Sequence, residues 1–179
     1  VDPYMGSGYD LPADLILVTH RHFDHNQIGL ITKKNDCLVI TDREALQGGL
    51  YNTFHHAGIT VNAVAASNKN HSINECVGYV ISFDNLKLYC AGDTSYHPDM
   101  DKLAAQKLDY AFLPIDGVYN MTAEQATECA RIIGAKNTIP IHTAPDNGKD
   151  VRDTYSEENA ARFGGDGKLL VRHGETITL

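Results

Sequence analysis

A dense group of metal-ligand side chains follows directly on a predicted buried strand. Residues 18–26 read V-T-H-R-H-F-D-H-N, and they continue the apolar run Ala13–Thr19. Four side chains able to bind a metal fall within six positions: His20, His22, Asp24 and His25. Because residues two apart on a strand share a side, the first two histidines are expected to face one pocket at the strand's end.

Imidazole nitrogens and carboxylate oxygens together bind zinc, iron or manganese, so this stretch predicts a metal site. Its crowding favours two adjacent ions about 3.5–4 Å apart. A polar loop with scattered histidines is the competing interpretation. Four such side chains directly after an apolar strand argue against it.

Three more ligand-type residues follow other predicted strands: His71 after Thr60–Ala66, Asp93 after Leu86–Ala91, and His142 after Asn137–Ile141. Each alone has a simpler explanation, such as a surface histidine or a turn aspartate after glycine. Their common placement at strand ends predicts that they share one site with the first group.

The rest of the chain predicts alternating strands and helices, typical of an α/β layer architecture. Val77–Phe83 and Leu86–Ala91 form a predicted hairpin around Asp84-Asn85. Further strands are predicted at Cys37–Thr41, Asp109–Ile115, Asn137–His142 and Leu169–Leu179. Helices are predicted from an Asp42 cap to about Ala57 before Gly58, from Pro98 to Leu108, from Thr122 to Ile133, and from Ser156 to Phe163.

Composition narrows the class of function. The chain has 15 basic and 23 acidic residues and a formal net charge of −8. This charge argues against non-specific nucleic-acid binding over the whole surface, and leaves a local basic groove as the alternative. No apolar run approaches a membrane span, and nothing resembles a signal peptide. Four widely spaced cysteines without a C-x-x-C pair favour reduced thiols and a cytoplasmic location. The expected partner is a small-molecule substrate; a homo-oligomer is left open.

The motifs resemble a known family. T-H-R-H-F-D-H resembles the signature of the metallo-β-lactamase superfamily of hydrolases. A-G-D-T-S-Y-H-P-D-M, L-P-I-D-G-V-Y-N-M-T-A-E-Q-A and I-P-I-H-T resemble its ascorbate-6-phosphate lactonase-like branch, and the resemblance runs from Val1 to about Pro145. It implies an α/β fold, a four-layer αββα sandwich, in one domain spanning 1–179, with a binuclear site at one edge.

The resemblance also implies a ligand set. His20, His22 and His71 match the first metal site of the family, and Asp24, His25 and His142 match the second. Asp93 matches the carboxylate that bridges the two ions. The match of His71 rests on the following S-I-N-E-C-V-G-Y-V-I. Its rivals are His97, near Asp93, and the pair His55-His56, predicted near a helix end.

One departure concerns the N-terminal side. Family members carry more strands before the signature, whereas nineteen residues precede His20 here. The chain is therefore expected to be truncated or unusually short, lacking part of the N-terminal sheet. Asp2 is expected either to orient a ligand histidine or to be a frayed terminal residue.

The expected chemistry is hydrolysis by a metal-bound hydroxide, with Asp24 orienting or deprotonating the water. Two divalent ions are expected, with zinc as the default and manganese or iron as alternatives. A lactone, ester or amide is the expected substrate, and His97, Tyr119 and Asn120 are candidates to line its pocket. The alternatives are a phosphodiesterase or nuclease, an inactive relative, and a redox di-iron protein. The flavodiiron branch typically has Glu where His22 stands, which argues against the last.

Overall fold

The structure, a computed structural model, describes residues 1–145 and 150–179. Its strands are β1 (Ala13–Leu17), β2 (Lys33–Ile40), β3 (Thr53–His56), β4 (Ile59–Ala65), β5 (Val77–Phe83), β6 (Leu86–Cys90), β7 (Tyr110–Pro114) and β8 (Asn137–Ile141). Its α-helices are α1 (Asp42–Ala45), α2 (Ala123–Ile133) and α3 (Glu157–Arg162), and the longest 3₁₀ helix is Pro98–Gln106.

The strands form two sheets. β1 and β2 pair in parallel as a small sheet, and β3 to β8 form a six-stranded sheet in chain order. The larger sheet is antiparallel from β3 to β6 and parallel from β6 to β8. Parallel strands end at the same sheet edge, so the loops after β6, β7 and β8 leave the sheet side by side.

Apolar side chains alternate between the two faces of the large sheet. Val80 and Tyr89 face a core with α2 and the Pro98–Gln106 helix, whereas Tyr79, Ile81 and Leu88 face a second core with the small sheet. This period of two is what a strand buried on both faces requires. The predicted α/β layer architecture is confirmed.

The helix predicted from Asp42 to Ala57 is wrong. Thr41 is the cap instead: its hydroxyl accepts the backbone N–H of Arg43 at 3.2 Å, and the helix ends at Ala45. Gly48 and Gly49 follow with φ of +76° and +72°, a left-handed conformation that cannot continue a right-handed helix.

The predicted helix end at His55-His56 is an edge strand. β3 pairs with β4 through a two-residue turn in which Ala57 and Gly58 have φ of +49° and +79°. Positive φ at both turn residues matches the twist of a tight hairpin. Thr53 pairs across it with Asn62, which gives the hairpin its register.

Two further predictions need correction. The strand predicted at Leu169–Leu179 does not form: beyond the backbone bond from Leu169 N to Thr138 O at 2.9 Å, the chain turns back at Arg172 to Glu175. The helix predicted from Pro98 is a 3₁₀ helix that ends at Gln106.

Helix α2 lies where the capping box of Thr122 predicted it. None of the helices in the described part of the chain combines the length and apolarity that a bilayer crossing needs.

Candidate metal centre

The loop after β1 brings His20 into the interior. Its imidazole is 1% exposed, and its Nδ1 lies 3.1 Å from the hydroxyl of Thr19. Its Nε2 is buried and has no hydrogen-bond partner among the described residues. Burial, followed by the neighbouring imidazoles, lowers the pKa of His20 to about 2, so its ring is neutral. A buried nitrogen with a free lone pair is a ready metal ligand.

Asp2 anchors this loop from the N-terminal segment. Its carboxylate accepts the Thr19 backbone N–H at 2.7 Å and the Thr19 hydroxyl at 2.8 Å. Asp2 Oδ2 also lies 3.0 Å from His25 Nδ1. The orienting contact expected of Asp2 is therefore present, and the frayed alternative is not supported. Because the Thr19 hydroxyl donates to Asp2, it accepts from His20 Nδ1.

His25 meets carboxylates at the end of the large sheet. Its Nε2 lies 3.5 Å from Asp24 Oδ2 and 3.4 Å from Asp93 Oδ1. His142 Nε2 lies 3.9 Å from each of these oxygens. Burial lowers the pKa of His25, but the bond to Asp2 and the surrounding carboxylates outweigh it and raise the pKa to about 9. Two imidazoles and two carboxylates thus converge on one point.

The second convergence joins three histidines. His22 Nδ1 lies 3.1 Å from His71 Nε2, and the ring centroid of His20 is 4.8 Å from that of His22 and 4.4 Å from that of His71. Burial lowers the pKa of His71. Tetrahedral zinc with Zn–N distances of about 2.0–2.1 Å separates ligand nitrogens by roughly 3.3 Å, close to the His22–His71 spacing.

His71 and His142 each have a protein oxygen beside Nδ1, the ring nitrogen that faces away from the site. His71 Nδ1 lies 2.9 Å from Asn68 Oδ1, and His142 Nδ1 lies 3.3 Å from Asp116 Oδ2. His142 also has φ of +45°, a left-handed conformation that is strained in a residue with a side chain. Such strain persists where the surroundings hold the residue in place, as they do at this strand end.

These donors suit divalent cations. In three groups the candidate ligand atoms lie within 4.8 Å of one another: His20 with His22 and His71; His20 with His25 and Asp93; Asp24 with His25 and His142. All seven sequence-predicted ligands belong to these groups. The orphaned His20 Nε2 and the mixed nitrogen and oxygen set both fit a first-row cation. Their assignment as ligands stays a prediction.

The rival histidines lie elsewhere. His97 caps the 3₁₀ helix, where its Nδ1 accepts the backbone N–H of Asp99 at 3.2 Å. His55 Nδ1 lies 3.0 Å from the hydroxyl of Thr60 on the edge hairpin. Neither these residues nor His56 belong to the three ligand groups, which favours His71 as the histidine of the first site.

A cavity of about 290 Å³ opens onto the site. Phe23 and Tyr119 line it, and their side chains remain 61% and 44% exposed. Tyr119 therefore lies where the sequence predicted it. Asn120 does not line this cavity: it is buried, and both ends of its amide are bonded to protein side chains. A larger cavity of about 460 Å³ adjoins Asp24 over apolar side chains of the large sheet.

Sequence reasoning missed two residues that hold the ligands, Asp116 and Asn68. Asp116 follows β7 in L-P-I-D-G, so the rule that identified Asp93 and His142 could also have identified it. Asn68 gives no comparable signal, because its partner Asn120 is 52 residues away in the chain.

Comparison with known proteins identifies the same superfamily that the sequence motifs resemble. The sequence profile of the β-lactamase superfamily domain matches residues 1–142. A UPF0173 metal-dependent hydrolase of Methanoregula boonei is 33% identical over 162 residues, which cover 79% of this chain and 72% of the relative. One from Nitratidesulfovibrio vulgaris is 32% identical over 189 residues and covers 93% of this chain and 78% of its own.

A solved structure extends the likeness to the fold. The crystal structure assigned to a metal-dependent hydrolase of Parabacteroides distasonis superposes with a TM-score of 0.69 at 28% identity. The match covers 90% of this chain and 78% of that one. The predicted metallo-β-lactamase fold is confirmed.

Proposed function

The chain belongs to the metallo-β-lactamase superfamily of metal-dependent hydrolases, and we propose that it hydrolyses a small-molecule lactone, ester or amide at a site for two divalent cations. Among these substrate classes we favour a lactone, because the A-G-D-T-S-Y-H-P-D-M stretch resembles the ascorbate-6-phosphate lactonase-like branch. Zinc is the proposed cation for a histidine-rich site, with manganese and iron as alternatives.

One observation carries this proposal: four histidines have Nδ1 beside a protein oxygen and direct Nε2 into the site. The partners of Nδ1 are the Thr19 hydroxyl for His20, Asp2 for His25, Asn68 for His71 and Asp116 for His142. His22 instead directs Nδ1 toward His71 Nε2. Outer contacts of this kind fix the ring and its tautomer in metal centres, and histidines that served only the fold would not need them.

The chemistry divides between the cations and the chain. His20, His22 and His71 would hold one cation, Asp24, His25 and His142 the other, and Asp93 would lie between them. When bound, the cations supply Lewis acidity, which acidifies water and polarises a substrate oxygen. The nearby imidazoles outweigh burial and lower the pKa of Asp24 to about 2, so its carboxylate is ionised at neutral pH. Asp24 Oδ2 orients the attacking water and accepts its proton.

The cavity supports a small substrate with an apolar portion. A volume of about 290 Å³ is at the low end of small-molecule sites, and the exposed rings of Phe23 and Tyr119 offer apolar contact at its mouth. A polymer such as a nucleic acid would instead call for a basic groove, which the net charge of −8 does not favour.

Truncation of Phe23 to alanine is expected to raise KM about 10- to 100-fold while kcat changes little. Burying an aromatic ring against substrate contributes about 1.5–3 kcal/mol, and this contact is the same in the ground state and the transition state. Steady-state kinetics on the best substrate from a screen of lactones, esters and amides measures it. Leu50→Ala, which removes an exposed apolar side chain outside the cavity, is the control. An unchanged KM in Phe23→Ala would exclude the ring from substrate binding.

Elemental analysis of the purified protein tests the cation site. About two equivalents of zinc or manganese are expected, and His22→Ala and His142→Ala are each expected to lose at least one, because they belong to different ligand groups. His55→Ala is the matched control, since this histidine lies on the edge hairpin. Metal is lost in the first two variants only if the imidazoles are ligands.

Other outcomes point elsewhere. Two equivalents of iron would favour the redox di-iron alternative. Cleavage of phosphodiesters but of no lactone, ester or amide would favour the phosphodiesterase. A folded protein that takes up no added zinc or manganese would overturn the cation site.

A further inference from the structure

We propose that Asn68 and Asn120 form an amide bridge that positions His71 and His142 together, so that one chain of side-chain contacts sets both cation sites. This inference rests on the proposed function, because it concerns residues that would hold the cations. The chain runs from His71 through Asn68, Asn120 and Asp116 to His142. None of the three intermediate residues belongs to the ligand groups.

The first end of the bridge fixes the proton on His71. Asn68 Oδ1 accepts the backbone N–H groups of Asn70 at 2.8 Å and His71 at 2.9 Å. Two backbone donors identify this atom as the oxygen, because an amide nitrogen could not accept them. The same oxygen lies 2.9 Å from His71 Nδ1, which must therefore carry the proton. His71 Nε2 is left with its lone pair directed at the site.

The other end of the bridge places a buried carboxylate beside His142. Asp116 Oδ1 accepts the backbone N–H groups of Val118 at 2.8 Å and Tyr119 at 2.6 Å, and the carboxylate is fully buried. Asp116 Oδ2 accepts the amide of Asn120 at 2.8 Å and lies 3.3 Å from His142 Nδ1. His142 Nδ1 makes no hydrogen bond with the described residues, so its contact with this carboxylate is electrostatic, and its Nε2 faces Asp24 and Asp93 at 3.9 Å.

The middle of the bridge joins two loops. Asn68 Nδ2 donates to Asn120 Oδ1 at 2.7 Å, which ties the loop after β4 to the loop after β7. In each amide the oxygen accepts and the nitrogen donates, so the orientation of both amide groups is defined. If either amide turned over, two oxygens or two N–H groups would face each other. Asn120 acts here as a positioning residue, because its buried amide is directed at Asn68 and Asp116 and does not line the cavity.

Asn120→Ala tests the bridge through cation binding. Stepwise titration of the metal-free protein with Co²⁺, followed by its ligand-field absorption, reports the affinity and geometry of both sites. The expected result is a 10- to 100-fold weaker binding of both cations and an altered spectrum. The variant releases Asn68 and Asp116, the residues beside the ligand histidines, and disturbing such outer contacts costs that much. Asn52→Ala is the matched control: it removes an asparagine that donates to three backbone carbonyls outside the site.

Asn68→Asp distinguishes the effect of the bond from Asn68 to Asn120 from the effect of the contact between Asn68 and His71. It keeps the oxygen beside His71 Nδ1 but removes the donor to Asn120, so a weaker cation site at His142 is expected while the site at His71 is retained. The double variant Asn68→Ala with Asn120→Ala is expected to bind cations no more weakly than the weaker single variant, because either change breaks the same chain.

Several results would overturn the bridge. Binding within threefold of the parent protein in folded Asn120→Ala would do so, as would additive losses in the double variant. A parent protein that binds two Co²⁺ but hydrolyses nothing in the screen refutes the proposed function while the bridge test still gives an answer. A parent that binds no cation overturns both.

Discussion

Replacing Asp24 with asparagine is expected to lower kcat/KM by about 10²–10⁴-fold while the protein stays folded. The amide keeps the size of the side chain but cannot accept the proton of the attacking water. It also removes a negative charge that lies 3.5 Å from His25 Nε2 and 3.9 Å from His142 Nε2. Kinetics on the best screened substrate, with saturating zinc present, measures the loss.

The control for this variant is Asp14→Asn, which removes the charge of an exposed aspartate paired with Lys34 on the small sheet. Its kcat/KM is expected to match that of the parent. If Asp24→Asn retains activity within a factor of three, Asp24 neither moves the proton nor holds a required cation. Metal analysis of the same sample separates these two roles.

Replacing Gly92 with alanine is expected to destabilise the fold by about 2–5 kcal/mol, from overpacking and from a left-handed backbone. Gly92 has φ of +63°, and a Cβ there would lie 2.8 Å from Thr19 Cβ and 2.9 Å from the carbonyl oxygen of Val77. Thr19 belongs to the ligand loop and Asp93 is the next residue, so the site would be displaced as well. Urea denaturation of the metal-free protein measures the change in the free energy of unfolding.

Gly134→Ala is a matched control. Gly134 has φ of +65° at the end of α2, but no described atom lies within 4 Å of the position its Cβ would take. Its substitution is expected to cost about 1 kcal/mol, the backbone contribution alone. Equal losses in the two variants would show that close packing at Gly92 contributes nothing.

The site was predictable to the extent that it depends on strand ends. The strands before His20, Asp93 and His142 are short apolar runs, and such runs mark buried strands in any sequence. The loops that follow them meet because β6 to β8 are parallel, an arrangement that the alternation of strands and helices indicates. Predicting that the ligand residues cluster therefore required the local strand patterns and one rule of topology, that parallel strands end at the same edge of a sheet.

The errors have local causes. The helix prediction after Asp42 fails at Gly48-Gly49, whose left-handed backbone ends the helix. The apolar residues of 169–179 predict a strand, but within the described residues this segment makes one backbone bond to β8, from Leu169 N to Thr138 O. The bridge of Asn68 to Asn120 was beyond reach for another reason. A hydrogen bond between loops exists only once the sheet has set the distance between them, and it leaves no periodic trace in the sequence.

The candidate ligands come from both sheets. His20 follows β1 of the small sheet, whereas Asp93 and His142 follow β6 and β8 of the large one. A cation bound between them would crosslink the two sheets, and its contribution would depend on its concentration: free cation at a hundred times its dissociation constant adds about 2.7 kcal/mol to stability. The stability of the contact between the sheets would then rise and fall with the concentration of the free cation. When the free cation is scarce, the contact between the two sheets would weaken. The cavity that this packing shapes would then be lost together with the hydrolytic activity.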